Sequence, residues 1–182
     1  MSRAPRKDGI ANREKILVAA LRTLQRDVTA PMADVAQEAG VGPGTLYRHF
    51  RDRNALLDAL QVRSISMVLV LVEEVLASEP SGVDAVREFL ERTVAHGSEL
   101  FLPYHGAPRT TDAEYLVLER KVWDGVGEMV SRGVADGTLR ADLTAHDVII
   151  FGSLVAVPIP GVDDWSLVAG RQIDLFLAAI TR

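Results

Sequence analysis

An all-helical fold is what this 182-residue sequence predicts. Three observations predict it. Apolar residues recur at three- and four-residue intervals almost throughout, no stretch alternates with period two, and Gly, Pro and capping residues fall at helix-length spacings. The expected architecture is about nine helices. A three-helix head occupies residues 1–53, with a helix-turn-helix at about 31–50, and a larger helical bundle occupies residues 54–182.

Residues Ser2 to Ile10 read as a flexible basic arm. A first helix is expected from Asn12, a good N-cap, to Gln25; Ile16, Ala20 and Leu24 recur every four residues, and Leu17 and Leu21 widen the stripe. Thr29-Ala30-Pro31 breaks it, and Pro31 suits the first turn of a short second helix ending at Ala39. Val41-Gly42-Pro43-Gly44 turns the chain into a third helix reaching Phe50. A fourth starts near Asp52 and runs to Ala77 with Leu56, Leu60, Ile65, Val68, Val72 and Leu76 inward. Further helices are expected over Val83–Leu102, Thr111–Ala135, Thr144–Val157 and Asp163–Thr181. Pro80-Ser81-Gly82, the loop Pro103–Pro108, Asp136-Gly137 and Pro158-Ile159-Pro160-Gly161 separate them.

Aromatic residues make up only 5% of the chain, so Leu, Val, Ile and Ala must fill its core. With no cysteine there is no disulfide, thiolate metal site or thiol chemistry, which fits a reducing cytoplasm. The N-terminus has basic residues but no apolar segment after them, so it does not read as a secretory signal. The longest uncharged run, Val148–Val162, holds two prolines and falls short of the roughly twenty residues a bilayer needs. No membrane partner is expected. The net charge is −5, but it is unevenly spread: ten Lys/Arg face six Asp/Glu in residues 1–53, and ten face nineteen in residues 54–182. A basic head on an acidic body draws phosphate to one end only.

Met32 to Phe50 carries the chemistry. Two short helices joined by a tight turn must cross steeply, which asks for a small residue at the crossing (Ala36) and a residue tolerant of positive φ at the turn (Gly40). Val41, Leu46 and Phe50 would bury the third helix against the others. Its opposite face then offers Thr45, Arg48 and His49, with Tyr47 at the flank; all four side chains can donate to phosphates or base edges. Gly42 and Gly44 permit close backbone approach to a partner.

Arg13-Glu-Lys-Ile-Leu-x-Ala-Ala-Leu21, Asp34-Val-Ala-x-x-Ala-Gly-Val41, Gly44-Thr-Leu-Tyr-Arg-His-Phe50 and Arg53-x-Ala-Leu-Leu57 together resemble the tetracycline-repressor (TetR) family of bacterial transcription regulators. The likeness covers about the first sixty residues; beyond them only the helical layout and Gly137-Thr-Leu-Arg-Ala-Asp142 look familiar. The resemblance implies a third helix that enters the major groove of an operator duplex, with Gly44, Thr45, Tyr47 and His49 at DNA-contact positions. It also implies that Arg53, where the family usually has Lys, reaches a phosphate. Arg3, Arg6 and Lys7 would add contacts from the arm. Three departures stand out: the loop after the first helix is short, Pro31 replaces a common capping Thr, and Pro43 replaces a polar residue, leaving at most a van der Waals contact there.

The resemblance further implies a homodimer whose body holds a pocket for a small-molecule effector, and repression more than activation. The apolar last two helices supply the candidate dimer face: Ile149, Gly152, Leu154, Val155 and Ala156 on the first, and Trp165, Val168, Phe176 and Ile180 on the second. Candidate ligand contacts are His96, Glu99, Phe101, Tyr104 and His105, then Tyr115, Glu119 and Trp123. Nothing fixes a metal geometry on His96, Glu99 and His105, and neither metal nor cofactor is expected. No nucleophile elbow, phosphate-binding glycine loop or zinc helix motif is present, so an enzyme is not the expected reading. The alternative is a helical small-molecule-binding or interaction module without DNA binding.

Overall fold

The computed structural model describes residues 4–78, 81–159 and 161–182, with side chains from Gly9 onward. Among the described residues eight α-helices follow one another: α1 (Ala4–Arg26), α2 (Met32–Glu38), α3 (Pro43–His49), α4 (Arg53–Ala77), α5 (Gly82–Ala95), α6 (Ala113–Ala135), α7 (Ala145–Ala156) and α8 (Trp165–Ile180). Among the described residues there is no β-strand, only an isolated antiparallel bridge between Leu139 and Thr181.

Two apolar clusters organise the chain. The first gathers Ile16, Leu17, Ala20, Leu21 and Leu24 of α1, Val35 and Ala36 of α2, and Leu46 with Phe50 at α3. Leu56, Leu57 and Leu60 of α4 belong to it too, so the head's core continues past residue 53 into the first turns of α4. The second cluster joins the rest of α4 to α5, α6, α7 and α8. By length and composition α4 could cross a membrane, but here it is the shared spine of both clusters, packed on α1, α5 and α6.

Side-chain caps set several helix starts. Asp52, Ser81 and Asp112 each accept from a backbone amide three residues on, and Thr144 forms a capping box with Asp147. Two boundaries differ from expectation. Helix α1 begins at Ala4, not at Asn12, so the supposed arm over residues 4–10 is helical. Pro5 sits where a helix tolerates it, and Gly9 alone costs only about 1 kcal/mol. Helix α5 stops at Ala95, well before Leu102. Gly97, two residues past the end of α5, lies against the end of α7 so closely that a Cβ there would come within 1.9 Å of the Ala156 carbonyl oxygen, and glycine at this position favours leaving the helix. A 3₁₀ turn (Gly97–Glu99), an extended stretch and a second 3₁₀ turn (Pro103–His105) then lead to α6.

Candidate nucleic-acid interface and ligand cavity

Helices α2 and α3 are joined by Ala39–Gly42. Gly40 takes φ +60°, and the Val41 amide donates to the Ala36 carbonyl at 3.0 Å, closing the turn. Ala36 is buried at the crossing, and Leu46 and Phe50 are only 1% and 2% exposed, so α3 is docked through these two side chains. The Arg13 guanidinium covers the Phe50 ring at 5.2 Å, and Arg26 pairs with Glu38 at 2.9 Å to tie α1 to α2.

Docking that edge turns the other outward. Gly42, Pro43, Gly44, Tyr47 and Arg48 are exposed, and Thr45 and His49 half-buried. Tyr47 is 52% exposed, far more than a phenol needed for the core would be. Gly44 has no positive φ, and a Cβ there would meet nothing within 4 Å. Alanine at this helical position would favour the fold by about 0.5–1 kcal/mol. The fold therefore gives no reason for a glycine there. Arg53 behaves differently from its expected phosphate role: its guanidinium donates to the carbonyls of Val28 and Ala30, holding the loop between α1 and α2. Arg3 lies outside the described residues, as do the side chains of Arg6 and Lys7.

A narrow cavity of about 50 Å³ lies inside the body. Ile65 and Val68 of α4, Phe89 and Thr93 of α5, Val122 and Trp123 of α6, and Ile149, Gly152 and Ser153 of α7 line it together with Leu100, Leu102, Tyr104, His105, Tyr115 and Glu119. Tyr104, Tyr115 and Glu119 also line the adjoining mouth beside Arg109 and Thr110. Of the residues expected to touch a ligand, Tyr104, His105, Tyr115, Glu119 and Trp123 are brought together here. His96, Glu99 and Phe101 are not. His96 and Glu99 pair on the surface at 3.0 Å, and Phe101 is 5% exposed within the head's core.

Burial holds the His105 imidazole below its usual pKa, and its buried Nδ1 has no hydrogen-bond partner among the described residues. Burial, then the nearby Glu119 charge, pushes the Tyr115 phenol well above its ordinary value; its hydroxyl donates to Glu119 Oε1 at 3.2 Å. The aliphatic lining was missed in sequence because Ile65, Val68 and Val122 have the same helical spacing as core residues.

Much of the expected dimer face is buried within the chain itself. Ile149, Gly152, Val155, Ala156 and Ile180 are buried inside the protomer, where they pack its own core or line the cavity, so they are not available to a partner. Trp165, Val168 and Phe176 are half-buried, with Trp165 Nε1 donating to the Val155 carbonyl at 2.9 Å and Phe176 stacked on Phe151 at 4.1 Å. Leu154 stands 71% exposed, and Leu167 and Leu175, which the helical pattern did not single out, are 72% and 52% exposed.

The chain has relatives on two scales. Residues 16–60 match the family model described as bacterial regulatory proteins, tetR family. An HTH-type transcriptional regulator of Staphylococcus aureus (strain MRSA252) is 35% identical over 78 residues, 41% of this chain and 41% of that protein, so the likeness spans well under two thirds of its length. The crystal structure of a TetR transcriptional regulator from Streptomyces coelicolor shares 25% identity, covers 93% of this chain and 98% of its own, and superposes with a TM-score of 0.63. The fold alone is shared with AibR, solved in complex with isovaleryl coenzyme A and operator DNA, at 14% identity and a TM-score of 0.73 over 90% of this chain and 97% of that one. Residues 16–60, which hold the helix-turn-helix, thus match the domain of the bacterial regulatory proteins of the tetR family, and 93% of the chain is similar in fold to a TetR transcriptional regulator.

Proposed function

We propose that this protein is a homodimeric repressor that binds a pseudo-palindromic operator through α3 and leaves it when a small molecule enters the body cavity. The observation that carries the reading is the outward edge of α3, with Gly44, Tyr47 and Arg48 presented to solvent while Leu46 and Phe50 anchor the helix. Residues 1–53 supply the DNA-binding unit and residues 54–182 the effector-binding and dimerisation unit, with the first turns of α4 packed into the head. Duplexes selected from a random pool test the reading: a pair of inverted half-sites supports it, and a protein that enriches no duplex contradicts it.

Two heads on one face of a duplex require a dimer. The exposed apolar side chains of α7 and α8, Leu154, Leu167 and Leu175 above all, support that face. Sedimentation at micromolar concentration is expected to give a dimer, and Leu154→Glu with Leu167→Glu a folded monomer. A wild-type monomer would contradict the proposal.

Cavity and head are joined by the linker between α5 and α6. Around Phe101 the backbone is extended, with Leu100 at φ −95°, ψ 138° and Leu102 at φ −123°, ψ 157°, so successive side chains point opposite ways. Leu100 and Leu102 line the cavity, whereas Phe101 enters the head's core, its amide donating to the buried Ser64 hydroxyl at 3.0 Å. Gln25 of α1 donates to the Ser98 carbonyl at 2.9 Å, and Gln61 of α4 to that of Pro108 at 2.9 Å. Anything that displaces Leu100 and Leu102 therefore pulls on α1 and α4. Filling the cavity from within by Val122→Phe is expected to weaken operator binding about tenfold, inside the usual 1–3 kcal/mol range of coupling between sites. The effect should shrink in a Phe101→Leu background. An equal loss in both backgrounds would remove the linker from the pathway.

A further inference from the structure

We propose that Arg53 is a positioning residue of the head, one that fixes how α3 is presented to a duplex instead of meeting a phosphate itself. Its guanidinium clamps the loop before α2 to the start of α4. The inference rests on the regulator reading above and gives one residue of that reading a different task.

The loop is built to be clamped. Asp27 Oδ1 accepts from the Thr29 amide at 2.8 Å and from the Thr29 hydroxyl at 2.6 Å, and the Ala30 amide donates to the Asp27 carbonyl at 3.0 Å. Asp27 to Ala30 is therefore a turn closed on itself. It leaves the Val28 and Ala30 carbonyls to the Arg53 guanidinium, whose two terminal nitrogens take one each. A planar fork with fixed N–H directions suits that pair of acceptors; a single ammonium on a flexible stem sets neither direction nor plane.

Helix α2 needs this hold. Its N-cap is Pro31, which gives the first turn no side-chain hydrogen bond. The helix packs chiefly on α1 and α3. Helix α3 is strung between α2 and α4, joined to one by Ala39–Gly42 and to the other by residues 50–52. A clamp that fixes the start of α2 on the start of α4 therefore fixes α3 as well.

Charge argues the same way. The Arg53 side chain is half-buried, whereas Arg48 is exposed on the outward edge of α3. The Asp27 carboxyl lies below its usual range, through its hydrogen bonds with Thr29 above all and also through the charge of Arg53. A guanidinium that already faces two carbonyls and a carboxylate gains less from a phosphate than a free one does.

Arg53→Gln and Arg53→Lys separate the two tasks when both are titrated, as full chains below their melting temperatures, with a selected duplex. Binding is expected to fall about tenfold in the first and at least about threefold in the second, because both lose the pre-organised head. In Arg53→Gln the slope of log K against log salt should match that of the wild type; a lost phosphate contact would flatten it by about 0.9 for each head. Positioning also leaves a signature of its own. One base pair inserted between the half-sites should cost the wild type about tenfold and the variants less than about threefold, since loosened heads accept more spacings. A flattened slope in Arg53→Gln, full-strength binding by Arg53→Lys, or spacing discrimination unchanged in the variants would each overturn the proposal. Should Arg53→Gln not fold, Arg53→Lys, which keeps the charge, decides by affinity and spacing. A wild type that binds its duplex no better than the variants do loses this inference alone, whereas one that binds no duplex loses the regulator reading and this inference with it.

Discussion

Tyr47→Ala and Arg48→Ala are each expected to weaken operator binding by about 1–3 kcal/mol, roughly a five- to 150-fold rise in Kd. Both side chains lie on the outward edge of α3, and Tyr47 is 52% exposed. Neither truncation opens a cavity, so stability should change by less than about 0.5 kcal/mol. That separation gives the experiment its value: an anisotropy titration reads the contact, and a thermal melt shows that the head still stands. The two effects should differ in kind. If Arg48 meets phosphate, its loss weakens all duplexes alike and lowers the salt dependence. If Tyr47 touches base edges, its loss relaxes sequence preference. Affinity unchanged in both variants would strike these residues from the interface.

Gly82→Ala should destabilise the protein by about 3 kcal/mol or more, although it adds a single methyl group. A Cβ at Gly82 would sit 2.0 Å from Gly133 Cα and 2.1 Å from its amide nitrogen, both backbone atoms of α6. The start of α5 cannot simply swing away. The Gly82 amide donates to Asp136 Oδ2 at 2.9 Å, and the Val83 amide to Thr138 Oγ1 at 3.3 Å. With hydrogen bonds from Gly82 and Thr138, Asp136 is held below the usual carboxylate range. For a chain of this length the loss corresponds to a Tm about 6–12 °C lower. Gly127→Ala is the control, since a Cβ there meets nothing within 4 Å; it should be neutral or stabilising by up to about 1 kcal/mol. Equal melting of the two variants would mean that α5 and α6 are not in backbone contact.

Most of the head was legible in sequence because its constraints are local. Ala36, Gly40, Leu46 and Phe50 lie within one short stretch, and each residue type has one geometrical reason to be there. The helix starts at Asp52 and Thr144 were readable for the same reason. What escaped depends on distant neighbours. Gly97 is a residue type that ends helices, but the close packing that excludes any side chain there is against the Ala156 carbonyl, far along the chain. Phe101 looked like a ligand contact because it falls with Glu99, Tyr104 and His105 around the loop expected at the pocket, yet an extended backbone turns it towards the head. Ile149 and Ile180 looked like interface because apolar periodicity cannot tell a protomer's own core from a partner's surface. Leu167 and Leu175 belong to the same apolar helix, and only the packing of Ala169, Ile173 and Leu177 inward shows that they face out.

That α3 lies in the groove of a duplex with Tyr47 against it is tested most directly by a crosslink. A photoreactive benzoylphenylalanine replaces Tyr47, and the protein is irradiated on a selected duplex. Crosslinks are expected at one position in each of two inverted half-sites, about 34 Å or a multiple of it apart along the helix. Efficient binding with no crosslink from position 47, while the same group at Leu116 on α6 reacts, would place the duplex on another face and contradict the account.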